Sequence, residues 1–383
     1  MFRILKNLVN RVNPVRKVPP QAAKSMNSNP NILIIKLSAI GDVVHSLPFL
    51  EVLKGKFPSS TVDWVVEEDA VGILQGHPNI DKLIVFPRKS WIKRFVKKNE
   101  YSSIGKEVAN FLKELKKIKY DIVVDLQGLL KSGILTFIAR GKRKIALNGG
   151  REASFIFINE RVIIPDPDIH ALERYLYIAR YLGATELNWN GRLPIDTADK
   201  RYVNYLLKEI DNKTLIAVNP MAKWETKLWD LDRFAYLVDR IKEELGAEVI
   251  FTGSERDIKP IETILSEMNT SALNLAGKST LKELAYLYQK CAIVISTDTG
   301  PMHIAAAMSS PVVIALFGPT SPLKTGPYGA KHRVVRAGLE CSPCFKKKCD
   351  DMSCMKKITV DMVFDSVKEV LKDVEIKINN VPS

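Results

Sequence analysis

A chain of 383 residues exceeds what one hydrophobic core usually serves, which points to two domains. Hydrophobic residues make up 46% and charged residues 26%, which excludes extensive disorder, and the lack of a long apolar run excludes a membrane-spanning helix. The 57 Lys and Arg against 43 Asp and Glu leave a net charge of +14, so an anionic partner is expected: nucleic acid, an anionic membrane surface or anionic substrates.

In chain order, residues 1–30 read as a basic tail. Met1, Phe2, Arg3, Ile4, Leu5 and Lys6 open a short amphipathic stretch that Pro14, Pro19 and Pro20 end. It suits either a helix lying on an anionic leaflet or an unstructured leader. No secretory signal pattern is present, so the chain is expected in the cytoplasm. From residue 31 short apolar runs alternate with helical periodicity. Strands are expected at 32–37, 62–66, 83–86 and 122–126, with helices at 43–56, 104–117 and 170–182. Basic runs occur at 88–98 and 140–144, and residues 188–200, with Gly191 and Pro194, read as a linker. The pattern then restarts, with strands expected at 215–218, 249–251, 273–275, 293–296 and 312–317.

Continuous apolar strands separated by helices imply parallel sheets covered on both faces. The expectation is an α/β protein of two facing doubly wound, Rossmann-like domains, residues 31–195 and 196–383. The C-terminal helix is expected to pack back on the first. Ligands in such sheets bind beyond the carboxyl ends of the strands, where two domains form a cleft.

The first strand runs into Lys36-Leu37-Ser38-Ala39-Ile40-Gly41-Asp42-Val43-Val44-His45. Asp42 falls at the start of a helix at the cleft mouth, where it can serve as a base or simply as an N-cap. A single glycine there is not the G-x-G-x-x-G fingerprint, which argues against an NAD enzyme. In the second half, a buried strand ends in Asp298-Thr299-Gly300-Pro301-Met302-His303. The proline suits the first position of a helix, and the amides of Thr299 and Gly300 would meet a pyrophosphate at its positive end. Lys227, in a loop with Trp224 and Trp229, is a candidate phosphate partner, and Glu255 a candidate acceptor of ribose hydroxyl bonds.

Four of the five cysteines, Cys341, Cys344, Cys349 and Cys354, fall within fourteen residues. They have the ligand count of a structural zinc or iron–sulfur centre, although the spacing is tighter than a zinc ribbon. Reduced thiols in a cytoplasmic loop are the alternative. There is no zinc-finger spacing, RNA-binding aromatic signature or recognition-helix pattern, which sets nucleic acid aside as a partner.

Residues 36–45, Asp63-Trp64-Val65-Val66-Glu67-Glu68, Asp125-Leu126-Gln127-Gly128-Leu129-Leu130-Lys131-Ser132 and residues 298–303 resemble those of glycosyltransferase family nine, the ADP-heptose:lipopolysaccharide heptosyltransferases. The likeness runs in order from about residue 32 to the C-terminal helix, and the second and third stretches are most similar to the first-heptose members. The resemblance implies a GT-B architecture and an inverting transfer from ADP-heptose to the Kdo residue on lipid A, with no required cofactor. It implies Asp42 as general base, Lys227 on the phosphates, Glu255 near the ribose, and Asp298, Thr299, Gly300 and His303 on the donor. Ser38, Gly41, His45, Gln127, Lys131 and Arg151 are the candidate acceptor-binding residues. One departure is Ala222 and Lys223, where first-heptose enzymes often carry a Thr-Thr pair. The resemblance also implies work at the inner face of the cytoplasmic membrane, to which Arg88, Lys89, Lys93, Arg94, Arg140, Lys142 and Arg143 would draw both lipid and acceptor. Competing readings are a second-heptose transferase or another family-nine transferase with a different acceptor, an epimerase of the same shape, and a non-catalytic nucleotide-sugar or polyanion binder.

Overall fold

The computed structural model describes residues 29–97, 101–166, 168–210 and 214–379; the expected tail, apart from residues 29 and 30, lies outside them. The chain divides between Pro194 and Ile195 into two compact units. Each contains a six-stranded, all-parallel sheet, and the α/β expectation holds.

In the first unit the strands are β1 (Asn31–Ile35), β2 (Thr61–Glu67), β3 (Lys82–Phe86), β4 (Lys119–Asp125), β5 (Arg140–Leu147) and β6 (Glu160–Val162), in the order β3-β2-β1-β4-β5-β6. The central strands are mostly apolar and almost wholly buried because helices cover both sheet faces, with Asp63 in β2 and Asp121 in β4 as the polar interruptions. Leu33, Ile35, Val65 and Val123 pack with Phe111 and Leu115, which form the buried stripe of the helix Tyr101–Lys117. The expected single helix 43–56 is two, Ile40–Val44 and Leu47–Lys56. Pro48 explains the break, since it cannot donate the backbone bond that a continuous helix would need there.

The second unit repeats the order. Its strands β7 (Leu215–Asn219), β8 (Glu248–Phe251), β9 (Leu273–Asn274), β10 (Ile293–Thr297), β11 (Val312–Leu316) and β12 (Arg333–Val335) run β12-β11-β10-β7-β8-β9. Ile216, Val218, Ile293 and Ile295 meet Phe234, Val238 and Ile241 of the helix Leu231–Leu245. The C-terminal helix Val360–Asn379 joins this core. Its apolar stripe Val363, Phe364, Val367 and Val370 is buried on the second unit's own sheet and helix. Chain direction reverses its strand order between β1 and β4, and again between β7 and β10. Those two switch points are where such sheets bind ligands. Among the described residues no helix is long and apolar enough to cross a membrane.

Candidate active site

At the first switch point the loop after β1 is held by sheet-like bonds that outrun the strands. Lys36 N–H donates to Val65 O (3.2 Å), Glu67 N–H to Leu37 O (2.9 Å) and Leu126 N–H to Ile35 O (3.0 Å). Gln127 pins the same loop, its Oε1 accepting from the amides of Leu37 (3.1 Å) and Ser38 (3.0 Å). Gln127 is itself set by Asp125, whose Oδ1 accepts from the amides of Gln127 and Gly128 (2.8 and 3.0 Å) and whose Oδ2 accepts from Ser132 Oγ (2.9 Å). Burial pushes the Asp125 carboxyl above its ordinary value, against the bonds it accepts from Gly128, Ser132 and Gln127.

Asp42 is not the N-cap itself. It stands at the third position of the helix Ile40–Val44, and its Oδ2 accepts from the Ala39 amide (3.2 Å), the return half of a capping box. The same oxygen lies 3.8 Å from Lys36 Nζ, an ammonium whose side chain is 3% exposed against 39% for Asp42. Burial works against that charge, but Asp42 and Tyr175 together hold Lys36 above its ordinary value. A buried cation thus sits behind a carboxylate that solvent can reach.

Lys131 Nζ donates to Ser38 Oγ (3.1 Å) and pairs with Glu67 Oε1 (2.6 Å), which also accepts from Arg88 Nε (2.8 Å). Glu67 is 2% exposed. Burial opposes its ionisation, yet the Arg88 and Lys131 bonds hold its carboxyl below the ordinary value. A depressed folded value contributes stability that is complete above the usual glutamate value of 4.5 and is lost as pH falls through the lower folded one. Glu67→Gln should therefore flatten the acid-side fall of stability below that pH; thermal unfolding at stepped pH reads it, and an unchanged profile would remove Glu67 from the account.

The structure brings together Ser38, Asp42, Gln127 and Lys131 of the sequence-expected residues. Arg151 reaches the same loop through its backbone, its amide donating to Gly128 O (2.9 Å), with an exposed side chain. Gly41 is buried in the short helix, and His45 is buried with its ring 4.8 Å from that of His170, a packing position. Arg143, expected on a basic surface, is instead bound bidentately to Glu160 (2.7 and 2.6 Å). Arg88, Lys89, Arg94 and Lys142 likewise face Glu67, Asp69, Glu107 and Asp121.

The second switch point centres on Asp298, buried directly after β10. Its Oδ2 accepts from Lys227 Nζ (2.6 Å) and Thr320 Oγ1 (2.5 Å), and its carbonyl also accepts from Lys227 Nζ (3.1 Å). Lys227 closes the turn Glu225–Lys227 and lies 4.6 Å over the Trp224 ring. Asp298 therefore aims the lysine at the start of the helix Gly300–Ala307, where Thr299 is N-cap and Pro301 is the second helical residue, one place later than expected. His303, one turn in, is buried. Glu255 is exposed beyond β8, at the head of the turn Glu255–Asp257. Gly277, at φ +72°, lets its backbone approach this turn; a Cβ there would stand 3.3 Å from the Glu255 Cα.

The four cysteines line one small cavity with Thr226 and Pro319. Their segment is tied to the Lys227 turn and to the loop after β11. Thr226 Oγ1 donates to Lys346 O (2.8 Å), the Phe345 amide to Pro319 O (2.8 Å), and Ser342 Oγ to Gly318 O. Burial first, and the neighbouring thiols second, push the Cys354 thiol up. Among the described residues no group of three or more His, Cys, Asp or Glu side chains is arranged to hold a metal ion, so the ligand count does not become a formed centre.

Sequence reading missed Lys36 and Thr320. A lysine two residues short of Ser38 at a strand end, and a threonine within Gly318-Pro319-Thr320 just past β11, are the signals that could have found them.

Residues 108–354 match the family model described as Glycosyltransferase family 9 (heptosyltransferase). The chain belongs to glycosyltransferase family 9. It is 30% identical to lipopolysaccharide heptosyltransferase 1 of Pseudomonas aeruginosa, covering 83% of this chain and 87% of that one. It is 28% identical to the lipopolysaccharide core heptosyltransferase OpsX of Haemophilus influenzae, covering 80% and 84%. Among solved structures, Escherichia coli heptosyltransferase WaaC with ADP superposes with a TM-score of 0.72 at 25% identity, over 89% of this chain and 99% of that one. The two six-stranded units are thus the two domains of the GT-B type, and the family-9 chain is a glycosyltransferase.

Proposed function

We propose that this family-9 enzyme transfers L-glycero-D-manno-heptose from ADP-heptose to a Kdo residue of lipid A, the first heptose of the lipopolysaccharide core, at the inner face of the cytoplasmic membrane. The observation that carries this reading is that each switch point holds one of the two groups an inverting transfer needs. The first has an accessible carboxylate backed by a buried ammonium; the second has a lysine aimed at a helix start. The similarity to chains named heptosyltransferase 1 supports the choice of acceptor, and the similarity to a chain solved with ADP supports the donor.

In the proposed reaction Asp42 takes the proton of the attacking sugar hydroxyl as its oxygen bonds to the anomeric carbon. The bond from that carbon to the β-phosphate oxygen breaks, and charge builds on departing ADP. Lys227 and the amides at Thr299 and Gly300 stabilise that charge where it develops, the type of help that usually contributes most. Glu255 hydrogen-bonds the ribose, Thr299, Gly300 and His303 shape the donor site, and Asp298 acts through Lys227. Ser38, Gln127 and Lys131 bind the acceptor's polar groups, with Arg151 beside them.

A donor-by-acceptor screen tests this reading. ADP-heptose should be consumed only when a Kdo-bearing lipid A acceptor is present. Turnover only with an acceptor that already carries one heptose would move the assignment to the second heptose. Consumption without any acceptor would make the protein an epimerase or hydrolase.

A further inference from the structure

The net charge is concentrated in one segment. Residues 82–119 contain twelve Lys and Arg against three Asp and Glu, a surplus of nine out of the chain's fourteen, of which Arg88 and Lys89 are paired with Glu67 and Asp69 outside the segment. This segment includes the helices Arg88–Val96 and Tyr101–Lys117.

The helix Arg88–Val96 has no buried residue, yet it is firmly seated. Trp91 packs edge-on to Phe86 (5.7 Å) and Phe111 (5.8 Å), and its indole N–H donates to Glu107 Oε2 (2.8 Å). Arg94, one turn on, grips both oxygens of Glu107 at 2.8 Å. Residues three apart share a helix face, so Trp91 and Arg94 define the inner one. The positions offset from it, Ile92, Phe95 and Val96, are 51, 58 and 71% exposed, and the Phe95 ring meets that of Tyr101, 49% exposed, at 5.0 Å. Apolar side chains at i, i+3 and i+4 normally face a core; here they face outward while a tryptophan and an arginine are used to fasten the helix.

Around this apolar stripe stand the exposed Lys93 and Lys97. Farther along the same unit, Lys82, Lys113, Lys116, Lys117 and Arg140 line an open basin of about 870 Å³ with a single carboxylate, Glu114, which pairs with Lys82 (2.9 Å). Cations interleaved with aromatic and aliphatic side chains on a surface helix match the headgroup boundary of an anionic bilayer, which satisfies both at once. A second copy of this chain would set the same positive segment against itself, and a sugar acceptor has no use for the three apolar side chains.

We propose that the outer face of the helix Arg88–Val96 is the bilayer-contacting surface of the acceptor domain, with Ile92, Phe95 and Val96 entering the interface of an anionic leaflet. The assignment rests on the reading that the acceptor is lipid-linked. It goes beyond that reading by fixing which surface meets the lipid.

The test is flotation of the full-length protein with phosphatidylcholine vesicles, with and without phosphatidylglycerol, beside turnover on a water-soluble, acyl-free acceptor. The wild type should float with the anionic vesicles only. The Ile92→Ser/Phe95→Ser/Val96→Ser variant should lose about tenfold or more in partitioning, in line with three apolar side chains leaving the interface, and keep wild-type turnover on the soluble acceptor. Equal flotation of variant and wild type, or wild type that ignores phosphatidylglycerol, would overturn the assignment. A wild type that floats with the anionic vesicles and turns over neither acceptor, beside a variant of unchanged melting temperature that no longer floats, would leave the surface assigned and refute the proposed reaction instead.

Discussion

Asp42→Asn is expected to lower kcat by about 10²–10⁴-fold, the usual contribution of a positioned general base, while the affinity for ADP changes by less than about threefold. The asymmetry follows from the chain's division. Asp42 belongs to the first unit, and every residue assigned to the donor lies in the second. The amide side chain can still accept from the Ala39 N–H, so the start of the helix Ile40–Val44 should persist. It cannot take a proton, and it leaves the Lys36 ammonium without its carboxylate. Breaking a fully buried pair costs about 3–5 kcal/mol; Asp42 is 39% exposed and Lys36 also donates to Leu126 O (3.4 Å), so the loss of stability should be well below that range. Single-turnover rates with saturating donor, beside ADP titration and a thermal melt, separate the three effects. Full activity in the variant would remove Asp42 as base, and unchanged behaviour in a protein without turnover would favour the binder.

What the sequence allowed one to read, and what it hid, follows from how each element is stabilised. Central strands such as β1, β4 and β10 announce themselves because both faces are buried, so each carries a short continuous apolar run, residues 32–35, 122–124 and 293–295. β5 is invisible by the same criterion. Its sequence Arg-Gly-Lys-Arg-Lys-Ile-Ala-Leu reads as a solvated charge run, and only the sheet supplies Glu160 for Arg143 and Asp121 for Lys142. The short edges β6 and β12 have too few residues to show a period.

The site divides in the same way. Backbone features at helix starts, Asp42 and the Thr299–Gly300 turn, are local and carry a local signature. The charge network is not local: Lys131 meets Ser38 from 93 residues away and Glu67 from 64, and Asp298 meets Lys227 from 71. Such pairs exist only once parallel strands bring their carboxyl ends side by side. That is also why residue chemistry alone offered Lys227 only as one candidate phosphate partner, while the resemblance to the family, which encodes those positions jointly, implied the same role for it directly. Lys36 fell outside both, because its role is to lie buried behind Asp42 rather than to present itself.

Lys227→Met should be the most damaging single change at the second switch point, because it acts on folding and on chemistry together. With Lys227 14% and Asp298 5% exposed, the pair is withdrawn from water, and removing the cation strands a buried carboxylate that keeps, among the described residues, Thr320 as its side-chain donor. That loss is about 3–5 kcal/mol, which for a domain of this size corresponds to roughly 6–20 °C in melting temperature. Asp298→Asn should be milder for stability, since the amide oxygen still accepts from Lys227 and Thr320. The double variant Lys227→Met/Asp298→Asn should recover part of the stability lost by Lys227→Met alone, because no unpaired charge remains. Catalysis should not recover with it. If Lys227 stabilises the departing diphosphate, both variants lacking it should stay about 10²–10³-fold below wild type in kcat, with ADP bound more weakly. A double variant whose melting temperature stays as low as that of Lys227→Met would refute the ion-pair account. One whose activity returns along with its stability would show that Lys227 supports the fold and not the leaving group.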